Sequence, residues 1–194
     1  MTFDDLQSLL RLTLTNPRAA AQAIKALRLS AANGWTALFL AAVLTAAFGY
    51  IGQSFLPAEA PDPFAGMLSS PLRMAGVQAI SLVATALLAW AVGRRFGGQG
   101  SLADSLALIA WAQVPMIVLQ VVQLFAVLLV PPFAPLLGIA AFALYIVLLT
   151  LFVAEPHGFK SALLVFGGIL ATSFLAALPV AILLLAIFGA PANV

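Results

Sequence analysis

Few side chains in this chain have the types or spacing for chemistry. His157 is the single histidine and lies in the stretch Glu155-Pro156-His157-Gly158-Phe159-Lys160, where Glu155 is the nearest acid. A general base needs an oriented partner and a closed site. Nothing else in the sequence converges on this stretch, so the expectation is a solvated turn histidine at headgroup level. A metal shell needs several nitrogen, sulfur or carboxylate ligands together, and one histidine cannot supply them. The chain has no cysteine, which excludes disulfides, thiolate metal sites and a thiol nucleophile. No catalytic residue, cofactor or metal site is expected, and the chain is not read as an enzyme.

Amides and hydroxyls form a second set. Gln113, Gln120 and Gln123 share much of one helical face, and Gln78, Ser81 and Thr85 share another. One reading is a polar seam lining a path for a small solute or a lipid headgroup. The other, which is preferred, is interhelical hydrogen bonding at about 0.6 kcal/mol per pair. The loop Gly97-Gly98-Gln99-Gly100 lacks the spacing of a dinucleotide fingerprint and the lysine of a phosphate loop, so it supports nucleotide binding only weakly. Ser101 with Asp104 makes a capping box that launches the next helix. Arg94 and Arg95 stand beside this loop, and with Arg18, Lys25 and Arg28 they are the candidates for contact with anionic lipid headgroups.

The elements that position these residues are membrane helices. Of 194 residues, 64% are hydrophobic and 7% charged, against roughly 25% charged in a soluble domain. The mean hydropathy is +1.16. A soluble core of this size could not hide so much apolar surface, so lipid is the solvent that fits. Five apolar stretches, at about 35–56, 71–93, 105–130, 135–154 and 161–188, approach or exceed the roughly 20 residues that a crossing helix needs. The fold class is therefore all-α: a polytopic bundle of five transmembrane helices (34–188) preceded by amphipathic helices (1–33).

In that amino-terminal part, Thr2 with Asp5 reads as a capping box, and Asn16 with Pro17 as a second helix start. Arg18, Gln22 and Lys25 fall opposite Ala20, Ile24, Leu27 and Ala31. Such a helix tends to lie in the headgroup plane; the alternative is packing on the bundle. Asn33-Gly34 is expected to break the pattern. Asp4 and Asp5 stand where a cleavable signal would be basic. The segment 57–70, with Glu59, Asp62 and three prolines, reads as a loop.

Charge orients the bundle. With the amino terminus inside, the inner segments hold Arg11, Arg18, Lys25, Arg28, Arg94, Arg95 and Lys160, and the outer ones hold only Arg73. By the positive-inside rule the amino terminus is cytoplasmic and the carboxyl terminus outside. The net charge of +2 is spread in this way, whereas a nucleic-acid footprint needs one clustered basic face; no nucleic-acid partner is expected. Small residues recur at Ala37, Ala41, Thr45 and Gly49, and at Gly167, Gly168, Ala171 and Thr172. They mark helix contacts, internal or between copies or with another membrane protein. Pro115 and Pro179 lie inside spans three and five and are expected to kink them.

The run Gly97-Gly98-Gln99-Gly100-Ser101-Leu102-Ala103-Asp104-Ser105-Leu106-Ala107-Leu108, with Ala110-Trp111-Ala112 and Pro115 after it, resembles Yip-domain proteins of the bacterial type. Asn16-Pro17-Arg18-Ala19 and the segment 155–160 are similar too, so the resemblance covers roughly residues 15–188. It implies five transmembrane helices, a cytosolic amino terminus and no enzymatic activity. Eukaryotic members bind Rab-type GTPases in vesicle trafficking. This chain lacks their Asp-Leu-Tyr-Gly-Pro motif and long amino-terminal region, which puts GTPase recruitment in doubt. Alanine-rich spans suit a bacterial inner membrane. Two functions are carried forward: a bundle that organises membrane or recruits lipids or partners at the cytosolic face, and a small permease or lipid-translocating protein using the glutamine seam.

Overall fold

A computed structural model describes residues 2–55 and 70–188. All but Ser70 of the loop expected at 57–70, and the tail at 189–194, lie outside the described residues. In lipid, each backbone amide and carbonyl must be satisfied within its own segment or a closed sheet. Long apolar runs therefore become helices: α1 (Phe3–Thr15), α2 (Pro17–Ala26), α3 (Ala31–Gln53), α4 (Pro71–Arg95), α5 (Leu102–Leu129), α6 (Ala134–His157) and α7 (Ala162–Phe188). Five of them, α3 to α7, are long and apolar enough to cross a membrane. The chain is an integral membrane helix bundle.

The caps expected from sequence form. The Thr2 hydroxyl accepts from the Asp5 amide at 3.2 Å while the Asp5 carboxylate accepts from the Thr2 amide at 2.7 Å. Asn16 caps α2 ahead of Pro17, and Ser101 and Asp104 cap α5 reciprocally at 3.0 Å. Pro131–Phe133 make a short 3-10 turn into α6.

Two boundaries differ from expectation. Asn33-Gly34 does not break a helix: the Ser30 hydroxyl caps α3 by accepting from the Asn33 amide, which places the pair in the first turn. Gly34 is there for packing, since a Cβ on it would lie 2.8 Å from the Leu106 Cβ. At the same end of the bundle, α6 runs through Glu155 and Pro156 to His157, so the expected turn begins three residues later, at Gly158. α5 and α7 continue through Pro115 and Pro179.

α5 is the central element. Its first half, from Ser105 to Ala110, is buried on every side. Leu106 and Ile109 pack with Leu38, Ala41 and Ala42 of α3, Leu82 and Ala86 of α4, and Leu149 and Val153 of α6. The opposite face of the same turns takes the amino-terminal hairpin. Leu9, Ala20, Ala21 and Ile24 are buried against Ala107, Leu108, Ala112, Leu148 and Phe152. The apolar face of α2 thus rests on the bundle rather than on acyl chains, because its alanines allow close approach. The buried Thr13 hydroxyl accepts from the Trp111 indole at 2.9 Å and donates to the Leu9 carbonyl at 2.8 Å, pinning α1 to α5. α7 lies at the edge against α4 and α6 with none of its residues buried. The small residues divide accordingly: Ala41 is in the core, while a Cβ on Gly167 or Gly168 would meet nothing within 4 Å.

Candidate functional site

The glycine loop closes on His157. α4 ends in a Schellman motif: the Gly97 amide donates to the Arg94 carbonyl, and the Gly98 amide to the Gly93 carbonyl at 2.8 Å. Gly97 takes the left-handed conformation this requires, φ +82°. α6 ends in the same way, with Gly158 at φ +75° and the Phe159 amide donating to the Ala154 carbonyl at 2.9 Å. These two terminations meet at the imidazole. A Cβ on Gly93 would overlap the ring at Nε2 and Cδ2, one on Gly98 would overlap Cδ2 and lie 2.6 Å from the His157 Cβ, and one on Gly100 would lie 2.8 Å from Cε1. Only residues without side chains can wall the ring this closely.

His157 is therefore not a solvated turn residue; it is 3% exposed. Its Nδ1 bonds the Val153 carbonyl at 2.9 Å, its ring stacks on Phe159 with centroids 5.6 Å apart, and its own carbonyl accepts from the Gln99 amide at 3.3 Å. Nε2 is buried without a hydrogen-bond partner among the described residues. The enclosure leaves no room for a substrate at the ring, and its visible task is to tie the α4–α5 loop to the end of α6.

Around this lock lies the basic end of the bundle. Arg18, Lys25, Arg28, Arg94 and Arg95 are all exposed there. Lys25 reaches the Pro156 carbonyl at 3.4 Å, and Gln22 donates to Glu155 at 2.7 Å, which joins α2 to the α6 terminus. An open cleft of about 600 Å³ separates α2 from the start of α5, lined by Gln22, Lys25, Arg28, Ser101, Asp104 and Glu155. Its two carboxylates are engaged, Asp104 by Ser101 and Glu155 by Gln22. Arg28 has a left-handed backbone, φ +47°, at a position where glycine is the comfortable residue.

A second cavity, of about 330 Å³, opens among α3, α4, α5 and α6. It gathers all six seam residues: Gln78, Ser81 and Thr85 from α4, and Gln113, Gln120 and Gln123 from α5. Thr45, Phe142 and Tyr145 complete much of its wall. Ser81 and Thr85 donate to carbonyls of their own helix, those of Val77 and Ser81, at 2.9 and 2.8 Å. Gln123 crosses to the Ala134 carbonyl at 3.3 Å. These polar pairs run within α4 or from α5 to α6. Interhelical bonding, the preferred reading of the seam, forms from α5 to α6 at Gln123, while between α4 and α5 the two polar faces border the cavity.

The burial of His157 escaped sequence reasoning, although a signal was present. Only Glu155 and Pro156 separate the apolar run ending at Ala154 from His157, Gly158 follows it, and the same chain carries a loop with three glycines. No curated protein and no solved structure matches the chain. A family model does: residues 11–190 match the Yip1 domain. The match takes in the end of α1, all of α2, the glycine loop and all five spans, so the chain belongs to the Yip1 domain family.

Proposed function

We propose that this protein is a non-enzymatic member of its family that gathers anionic lipids around its cytosolic face and so organises the membrane beside it. The observation that carries this is the exposed basic end: the guanidinium groups of Arg18, Arg28, Arg94 and Arg95 make no hydrogen bond or ion pair among the described residues. A juxtamembrane Lys or Arg contributes about 1 kcal/mol of attraction to an anionic leaflet. With the exposed Lys25, five such charges would favour anionic over neutral neighbours substantially at low salt, and less as salt screens them. The strained Arg28 supports the same reading, since a charge is held there at a conformational cost. With the proposal goes an orientation, amino terminus inside and carboxyl terminus outside, in a bacterial inner membrane; the asymmetry of basic residues supports the first part, and the alanine-rich spans support the second. Partners at this face would be lipids first, with a second copy or another membrane protein meeting the uncovered helices.

The test is reconstitution into vesicles mixing phosphatidylcholine with phosphatidylglycerol, reading lipid enrichment by a fluorescent phosphatidylglycerol. The protein should enrich the anionic lipid, more at low salt. A variant with Arg18, Lys25, Arg28, Arg94 and Arg95 changed to Gln should not. Equal enrichment by both proteins refutes the lipid role.

A further inference from the structure

The cavity of about 330 Å³ among α3 to α6 has a composition that selects its occupant. No Asp, Glu, Lys, Arg or His lines it. An ion or zwitterion entering it would leave water with no countercharge waiting, a cost several times that of a hydrogen bond. The occupant is therefore neutral.

Hydrogen-bond accounting then says what it must carry. The Ser81 and Thr85 hydroxyls spend their protons on their own helix and keep only lone pairs for the cavity. Gln120 Oε1 is a buried acceptor with no donor among the described residues, and Thr45 Oγ1 is buried with no partner there either. Gln120 Oε1 thus awaits a donor, while the amide nitrogens of Gln78, Gln113 and Gln120 offer N–H to an acceptor, so the occupant brings an O–H group together with carbonyl oxygens, as a diacylglycerol does. The rest of the wall is apolar, with Leu82, Met116 and Phe142. Phe142 is also 68% exposed on the outside of the bundle, so the rim reaches the surface that acyl chains cover. A volume near the lower bound of roughly 300–1,000 Å³ for ligand sites suits a small headgroup rather than a whole lipid.

We infer that this cavity binds the hydroxyl headgroup of a neutral glycerolipid, of the diacylglycerol class, entering sideways from the bilayer with its chains left in the membrane. Gln120 and Thr45 receive the hydroxyl; Phe142 marks the entrance. The site lies away from the basic end. At about 1.5 Å per residue, Gln120 sits roughly 27 Å along α5 from its first turn. It stands independently of the anionic-lipid role.

The experiment uses the full chain in phosphatidylcholine nanodiscs containing a photoreactive diacylglycerol, with labelled peptides mapped by mass spectrometry. Label should fall on residues of α4, α5 and α6 that line the cavity. Excess unlabelled diacylglycerol should compete, while phosphatidic acid of the same chains and free glycerol should not. Gln120→Leu removes one acceptor and should weaken labelling about three- to tenfold, the range of one hydrogen bond. Ala141→Trp, which fills the cavity from its lipid side, should abolish labelling with the basic end untouched; a thermal melt confirms that both variants are folded. Equal labelling by the phosphatidic acid probe, or labelling unchanged in both variants, overturns the proposal. Competition by glycerol overturns it as well, in favour of a site for free polyols.

Discussion

The sharpest test of the glycine lock is Gly93→Ala, made with and without the histidine. In the native background the new Cβ would overlap the His157 ring at Nε2 and Cδ2 and stand 2.8 Å from Cε1, against about 3.5–4.0 Å for carbon atoms in good contact. The ring has little freedom to retreat. Its Nδ1 is bonded to Val153, Phe159 stacks on it, and Gly98 and Gly100 stand close on its other sides. Overpacking of this kind costs about 1–3 kcal/mol. Alanine in a helix recovers about 0.5–1 kcal/mol relative to glycine, so the net loss should be about 1–2 kcal/mol. In a His157→Ala background the clash is gone and only the helix term remains. The same substitution should then stabilise, by about 0.5–1 kcal/mol. The coupling between the two sites would be about 1.5–3 kcal/mol. Equilibrium unfolding in mixed micelles, titrated with sodium dodecyl sulfate and followed by tryptophan fluorescence, reads all four proteins of the cycle. If Gly93→Ala has the same sign and size in both backgrounds, the ring does not fill the glycine cradle and the loop is held by something else.

Thr13→Val keeps the side chain's shape but leaves the Trp111 indole N–H facing no acceptor; it should cost about 1–3 kcal/mol, more than Trp111→Phe, which removes the donor instead. Proteolytic release of the α1–α2 hairpin checks that order, and equal sensitivity of the two variants would refute it. The Asp5 carboxyl is held below its ordinary value of 3.8 by the Thr2 amide and hydroxyl. Its contribution to the cap is thus complete above that value and fades as pH falls through the lowered one. Amide exchange in the first turn of α1, corrected for intrinsic rate, should be flat from about pH 5 to 7 and rise only in stronger acid, and Asp5→Asn should remove the pH dependence.

Local features are legible in the chain itself. The capping boxes at Thr2 and Ser101, the cap at Asn16 and the proline turn at 131–133 are set by neighbours within a few residues. The cap at Ser30 is hidden because Asn33-Gly34 resembles a helix break. What overrides that signal is a distant residue, Leu106, whose close packing needs glycine at position 34. The end of α6 is hidden for a similar reason. Glu-Pro-His-Gly looks like a turn when read alone, yet the terminal proline is tolerated and the helix continues until Gly158 supplies the left-handed residue. Spacing alone groups the seam residues on two helices. Whether those faces bond to each other or border a space depends on how far apart α4 and α5 stand.

By itself, then, the sequence determined the solvent, the number of crossings and the asymmetry of charge between the two ends. Runs of about 20 apolar residues have a single stable solution in lipid, a helix that satisfies its own backbone. Only the tertiary structure decided the environment of individual polar groups. His157 is a buried lock rather than a solvated side chain because three glycines, from the end of α4 and the loop after it, close around a ring from α6. The glutamines form a cavity wall because four helices leave a gap that their polar faces share. Burial and hydrogen-bond partnership are properties of surroundings assembled from distant parts of the chain, and no local window of sequence contains them.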